Sequence, residues 1–158
     1  MPAPRYLLWL ALRVAGLSTG ISVELGLWLA WTLVNRQFAG KRALGALSTA
    51  ALALPAPVLC YYLLAVFARI WPLTETNLVA AGVLSATPLL VRASRTAFAS
   101  LDPNLAKAAR SLGAPGWRVF LRIDLPLELR PILAATALAF ARVLAELAAA
   151  FWIASRRP

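Results

Sequence analysis

Apolar positions in this chain come in long blocks, and polar residues are confined to the short stretches between them. Tyr6 to Val34 is an apolar run of 29 residues broken by Arg13 and Glu24. Ala43 to Ala68 holds no charged residue, although Pro55 and Pro57 interrupt it. A third block runs from Asn77 to Val91 with a helical continuation to Phe98, carrying Pro88, and a fourth spans Pro131 to Ala154. At about 1.5 Å of rise per residue, helices of about 20 residues match a hydrocarbon core of ~30 Å. The pattern predicts an all-α, polytopic membrane helical bundle. It forms one transmembrane domain over residues 1–158, with about four spans near 7–34, 43–68, 76–98 and 131–154 and a polar loop over 99–126. The first block is too long for the apolar region of a secretory signal, and no small-residue cleavage site closes it.

The polar chemistry concentrates between Arg92 and Pro126. Asp102-Pro103 is a helix start, because an Asp oxygen can cap free amides and Pro fits the first turn. Leu105, Ala108, Ala109 and Leu112 fall at i, i+3, i+4 and i+7, giving one apolar face opposite Asn104, Lys107, Arg110 and Ser111. Gly113 supplies a left-handed stop. A second amphipathic segment comes next, with Trp117, Phe120 and Leu121 on one side and Arg118 and Arg122 on the other, and Pro126 is expected to end it.

Composition agrees with the bilayer as solvent: 61% of the 158 residues are hydrophobic and mean hydropathy is +0.75. The net charge of +10 does not point to nucleic acid, since the basic residues sit between membrane-length runs and not on a separate domain. Ten of the sixteen Lys and Arg lie in 35–42 and 92–130. The positive-inside rule therefore places both stretches in the cytoplasm and both termini outside, with Arg156 and Arg157 mildly opposed. The chain has no His and one Cys, Cys60, which excludes an intrachain disulfide, a His/Cys metal site and a Ser-His or Cys-His nucleophile. Gly40-Lys41 lacks the Gly that a phosphate loop needs five residues earlier, where Asn35 stands.

Within the spans, a few residues invite a functional reading. Arg13 can snorkel to a headgroup region. Glu24 reads either as a gating or pore residue or, more simply, as a neutral or Arg-paired carboxylate. Pro55 and Pro57 break a helix that lines a path or only kinks in packing. Arg142 and Glu146, four residues apart on one helical face, form either a self-compensating pair or an Arg facing an anion path or subunit interface.

Ala108-Ala109, three residues, Gly113, nine residues, then Ile123-Asp124-Leu125-Pro126 resembles the EAA loop of ABC-importer permeases. The blocks FAGKRALGAL (38–47), LPAPVLCYYLL (54–64) and FARVLAELAAAF (140–151) resemble the molybdate-type branch, whose relatives carry sulfate or tungstate. The likeness runs from about Leu8 to Ala154. Two departures stand out: Lys107 where the family carries Glu, and AELAA where it has GEFGA.

The resemblance implies a type I ABC-importer transmembrane domain in a bacterial or archaeal cytoplasmic membrane, crossing it several times. Asp102, Leu105, Lys107, Ala108, Ala109, Leu112, Gly113 and Pro126 would belong to the coupling helix that docks on an ATPase subunit. ATP and Mg would bind that partner, leaving this chain without cofactor, metal or catalytic residue. A homodimer or heterodimer of permeases would enclose a path, fed with oxyanion by an extracytoplasmic binding protein. The rival is a truncated or degenerate permease acting as a non-transporting or regulatory membrane subunit. The family continues into a further span, so the expectation is that this chain is unstable without a partner to shield Arg142 and Glu146.

Overall fold

A computed structural model describes residues 4–36, 39–53 and 75–155. Among these, all regular structure is helical. Helix α1 runs Pro4–Asn35, α2 Lys41–Ala53 and α3 Glu75–Ser100. A short helix α4, Pro103–Ser111, leads to α5, Gly116–Val119, a π-helical turn over Phe120–Asp124, α6 at Leu125–Leu127 and finally α7, Leu129–Ser155. Among the described residues, three stretches are long and apolar enough to cross a membrane: Leu8–Asn35, Glu75–Ser100 and Leu129–Ala149. Helix α3 continues without a break through Pro88.

Small and hydroxylated residues line the helix faces that meet, and large apolar ones point outwards. On α1 the inward stripe is small or hydroxylated, comprising Ala15, Ser18, Ser22, Gly26 and Ala30, while Leu17, Ile21, Leu25 and Trp28 face outwards. Lipid tails offer no hydrophobic drive for helices to associate, so close approach and interhelical hydrogen bonds must hold them. Both are present. The Ser18 hydroxyl donates to the Val79 carbonyl at 3.1 Å and Ser22 to that of Val83 at 3.3 Å. One turn before Pro88, the Val83 carbonyl also accepts from Thr87 at 2.6 Å. A Cβ on Gly82 would lie 2.5 Å from Ser18 Oγ and 3.2 Å from a Val143 methyl, and one on Gly26 would lie 2.8 Å from Leu90 Cβ. Glycine at these two sites lets α1 and α7 approach α3.

These contacts fix direction. Ser18 meets residue 79 and Ser22 meets residue 83, so α1 and α3 run parallel. Ser85 meets Glu146 while Phe98 packs with Ile132, so α7 runs antiparallel to both. Between α1 and α3 the sequence expects the span 43–68, of which α2 is described as far as Ala53; Pro55, Pro57, Cys60, Tyr61, Tyr62 and Trp71 lie outside the described residues. One apolar cluster, with Val14, Ala86, Leu90, Ala139, Val143 and Leu147, fills the centre. A second, built on Ala30, Phe98 and Ile132, closes the end carrying the two basic stretches. There the Arg110 guanidinium reaches Asn35 Oδ1 at 3.4 Å. At the opposite end Arg13 pairs with Glu75 across 3.2 Å and lies over the Trp9 ring.

Candidate functional site

Helix α4 is capped at both ends and has no buried residue. At its start the Asp102 carboxylate accepts the Asn104 amide at 2.9 Å, with Pro103 in the first turn. At its end Gly113 has φ +83°, its amide bonds the Arg110 carbonyl at 2.9 Å, and the Ala114 amide reaches back to Ala109 at 3.1 Å. Those crossed bonds are a Schellman stop, which satisfies the last carbonyls of the helix. No residue of α4 is buried. Leu105 is 47% and Leu112 88% exposed, while Lys107 and Ala108 are exposed and Ala109 half-buried. The structure thus brings Leu105, Ala108, Ala109 and Leu112 onto a helix that this chain leaves uncovered, beside Lys107.

The segment from Gly116 to Asp124 anchors α4 to the bundle. The Gly116 backbone passes under Trp31, Phe120 packs edge-on against Trp31 with centroids 5.5 Å apart, and Trp31 Nε1 donates to Asp124 Oδ2 at 3.0 Å. Phe120 also meets Phe98 edge-on at 5.8 Å. Burial pushes the Asp124 carboxyl above its ordinary value of 3.8, against the lowering effects of the Trp31 hydrogen bond and, after it, the Arg110 charge. One indole therefore ties the end of α1 to the segment after α4. Where α3 hands over to α7, Ser100 donates to Glu128 Oε1 at 3.1 Å.

Two expectations for this segment need correction. Pro126 does not end it. The π turn carries the Leu125 amide to the Phe120 carbonyl, and Pro126 then sits in the first turn of α6, where a missing amide leaves no bond unmade. The buried face also differs. It runs through Val119, Phe120, Ile123 and Asp124, whereas Trp117 and Leu121 are 61% and 51% exposed. Arg118 is not opposite Trp117 but lies over its ring, 5.3 Å from the centroid. Positions 119, 120, 123 and 124 keep helical spacing, so the difference lies in which side of the segment the bundle covers and not in its period.

Within the spans the structure separates the charged residues. Glu24 is exposed on the outward face of α1, with Leu17, Ile21 and Trp28, and makes no ion pair among the described residues. Among the described residues no Arg pairs with it, and the face that meets α3 is the one carrying Ser18 and Ser22. Arg142 and Glu146 do pair: Arg142 Nε lies 3.0 Å from Glu146 Oε1, with side-chain exposures of 18% and 2%. The Ser85 hydroxyl of α3 donates to the same carboxylate oxygen at 2.6 Å and accepts from Arg142 Nε at 3.4 Å. Sequence reasoning missed Ser85 and Trp31, since nothing local marks either as a partner of residues 57 to 93 positions away. Below the triad, a groove of about 480 Å³ opens between α3 and α7, lined among others by Leu89, Arg92, Thr96, Ser100, Glu128 and Pro131.

Comparison with known proteins decides the family. Residues 22–157 match the family model described as binding-protein-dependent transport system inner membrane component. The chain belongs to that family. It is 38% identical to the molybdenum transport system permease protein ModB of Escherichia coli (strain K12), covering 94% of this chain and 71% of that protein. It is 31% identical to the molybdate/tungstate transport system permease protein WtpB of Thermococcus kodakarensis, over 85% of this chain and 54% of the relative. A probable sulfate transport system permease protein, cysT, of Chlorokybus atmophyticus is also 31% identical, over 93% and 56%. This inner-membrane permease therefore falls in the molybdate, tungstate and sulfate branch, as the EAA-type loop and the flanking blocks implied.

Proposed function

We propose that this permease carries an oxyanion of the molybdate–tungstate class across the cytoplasmic membrane, driven by a separate ATPase that docks on α4. The observation that carries the reading is the uncovered α4 surface, capped at both ends and tied through Trp31 to a membrane-spanning helix. A helix with no buried residue gains little from packing within its own chain, so its capped ends and apolar face suit a groove on another subunit. Movement of that groove on ATP binding would push α4. The Trp31–Asp124 bond and the Phe120 contacts would pass the displacement to α1 and, through Phe98, to α3. A second permease copy, or a related one, would complete the path, and an extracytoplasmic binding protein would deliver the anion. ATP and Mg would stay on the partner.

Lys107 favours a second reading. It stands exposed on α4 where the family carries Glu, and a reversed charge on the docking surface would suit a subunit that has lost coupling and acts without transport. Uptake of labelled molybdate, tungstate and sulfate in a strain with and without this gene separates the two. Gene-dependent uptake supports the importer, and unchanged uptake of all three supports the non-transporting subunit.

A further inference from the structure

The segment that follows α4 is tied at both ends to the level where spanning helices leave the membrane. At one end the Gly116 backbone passes under Trp31, one turn before the end of α1. The spanning stretch Leu8–Asn35 has 28 residues, so it is about 42 Å long, the thickness of a bilayer with its headgroups. Trp31 therefore lies in the headgroup band and not in the hydrocarbon. At the other end Leu129 begins both α7 and its spanning stretch. Residues 116–128 accordingly run along the membrane surface, at the end of the bundle where the basic stretches meet.

The two sides of that run differ in chemistry. Inwards, Val119 and Asp124 are buried and Phe120 packs on Trp31 and Phe98. Outwards, Trp117 and Leu121 stand exposed four residues apart, and Arg118 and Arg122 are exposed beside them at the same spacing. The Arg118 guanidinium lies over the Trp117 ring, which keeps cation and indole on one side. Asp124 is the one acidic residue from Gly116 to Leu127, and it is turned inwards on Trp31. The outer face thus offers two cations, an indole and an aliphatic side chain, with no carboxylate among them. The cytoplasmic leaflet presents the complement, anionic phosphates above an apolar boundary. Indole rings settle at that depth because one edge is polar and the body is not.

We infer that Trp117, Arg118, Leu121 and Arg122 form a binding surface for anionic phospholipid of the cytoplasmic leaflet. Trp117 and Leu121 enter the boundary beneath the headgroups, and the two guanidiniums pair with lipid phosphates, whose geometry a planar fork of N–H donors fits. Because Gly113 to Pro115 joins this segment directly to α4, the contact holds α4 at a set distance below the membrane. The inference goes beyond oxyanion import and stands whether or not the chain transports.

The test uses the assembled permease and ATPase in vesicles of roughly one-third phosphatidylglycerol, the rest phosphatidylcholine. Bromine near the headgroup end of the acyl chains is carried by one lipid or by the other, and it quenches any tryptophan that touches the labelled lipid. Subtracting the signal of Trp117→Phe, a change at an exposed ring that leaves the buried face intact, isolates Trp117. That residue should be quenched by both lipids, at least about fivefold more effectively per molecule by phosphatidylglycerol, the scale of one Arg near the surface. Arg118→Gln with Arg122→Gln should remove the preference, and Arg118→Lys with Arg122→Lys should retain most of it. Trp117 quenched by neither lipid, or equally by both, would overturn the inference. Quenching that is present before the ATPase is added and vanishes when it binds would assign this face to the ATPase, and would overturn it as well.

Discussion

Trp31 and Asp124, 93 positions apart, are joined by an indole N–H to carboxylate hydrogen bond of 3.0 Å. It is the side-chain bond that fixes the segment after α4 to the first long helix. Its acceptor is buried, so losing the donor leaves a carboxylate oxygen unsatisfied. Trp31→Phe keeps the edge-on packing with Phe120 but removes the donor, and should cost about 1–3 kcal/mol of local stability. Faster proteolysis or hydrogen exchange across 116–127, with α1 and α3 unaffected, would show it.

Asp124 also gives a pH dependence with a definite sign. Its carboxyl is raised above 3.8 because burial disfavours the charged form. The folded state therefore holds its proton to higher pH than the unfolded state, and stability from this group falls as pH rises from 3.8 to the raised value, then levels off. Asp124→Asn keeps an oxygen for Trp31 and removes the titration. The variant should lose the slope that the wild type shows on the acid side, measured by thermal unfolding of the detergent-solubilised protein between pH 4 and neutrality. A wild type that gained stability with rising pH across that window, by an amount that Asp124→Asn abolishes, would contradict the assignment.

The glycines on the helix faces are not equivalent. Gly82→Ala would drive a Cβ to within 2.5 Å of Ser18 Oγ, at the three-helix contact of α1, α3 and α7. It should destabilise the bundle by about 1–3 kcal/mol, as overpacking of a tight site does. Gly20→Ala enters open space and should be neutral to within ~0.5 kcal/mol. Equal melting temperatures for the two variants would remove the close-packing account of the α1–α3 interface.

How legible each feature is in the sequence depends on how local it is. The Asp102 cap, the Gly113 stop and the Arg142–Glu146 pair are set within five residues, and each stands in the structure as the sequence expects. Membrane-length apolar runs mark the spanning helices for the same reason. The buried face after Gly116 escapes a sequence reading because only its distant partners, Trp31 and Phe98, show which side of the segment is covered. The place of Glu24 escapes it because only the partner helix tells which face of α1 is inside. Ser85 and Trp31 are invisible, since their meaning comes from tertiary partners.

Topology rests on two independent observations: the basic stretches meet at one end of the bundle, and α1 and α3 run parallel. Reporter fusions after Arg42, Glu75 and Pro115 should read inside, outside and inside. The reverse order would invert the molecule and put α4 out of reach of any cytoplasmic ATPase.

The central claim is that α4 couples ATP hydrolysis to transport, and Gly113 is where it can be tested most directly. At φ +83° a β-branched residue is strained by roughly 1–3 kcal/mol, whereas Asn tolerates the left-handed region. Proteoliposomes holding the assembled permease, ATPase and binding protein allow ATP hydrolysis and labelled molybdate uptake to be measured in the same vesicles. The account predicts that Gly113→Val inserts and assembles but hydrolyses ATP with little uptake, and that Gly113→Asn stays close to wild type. Wild-type uptake per ATP in Gly113→Val would contradict it.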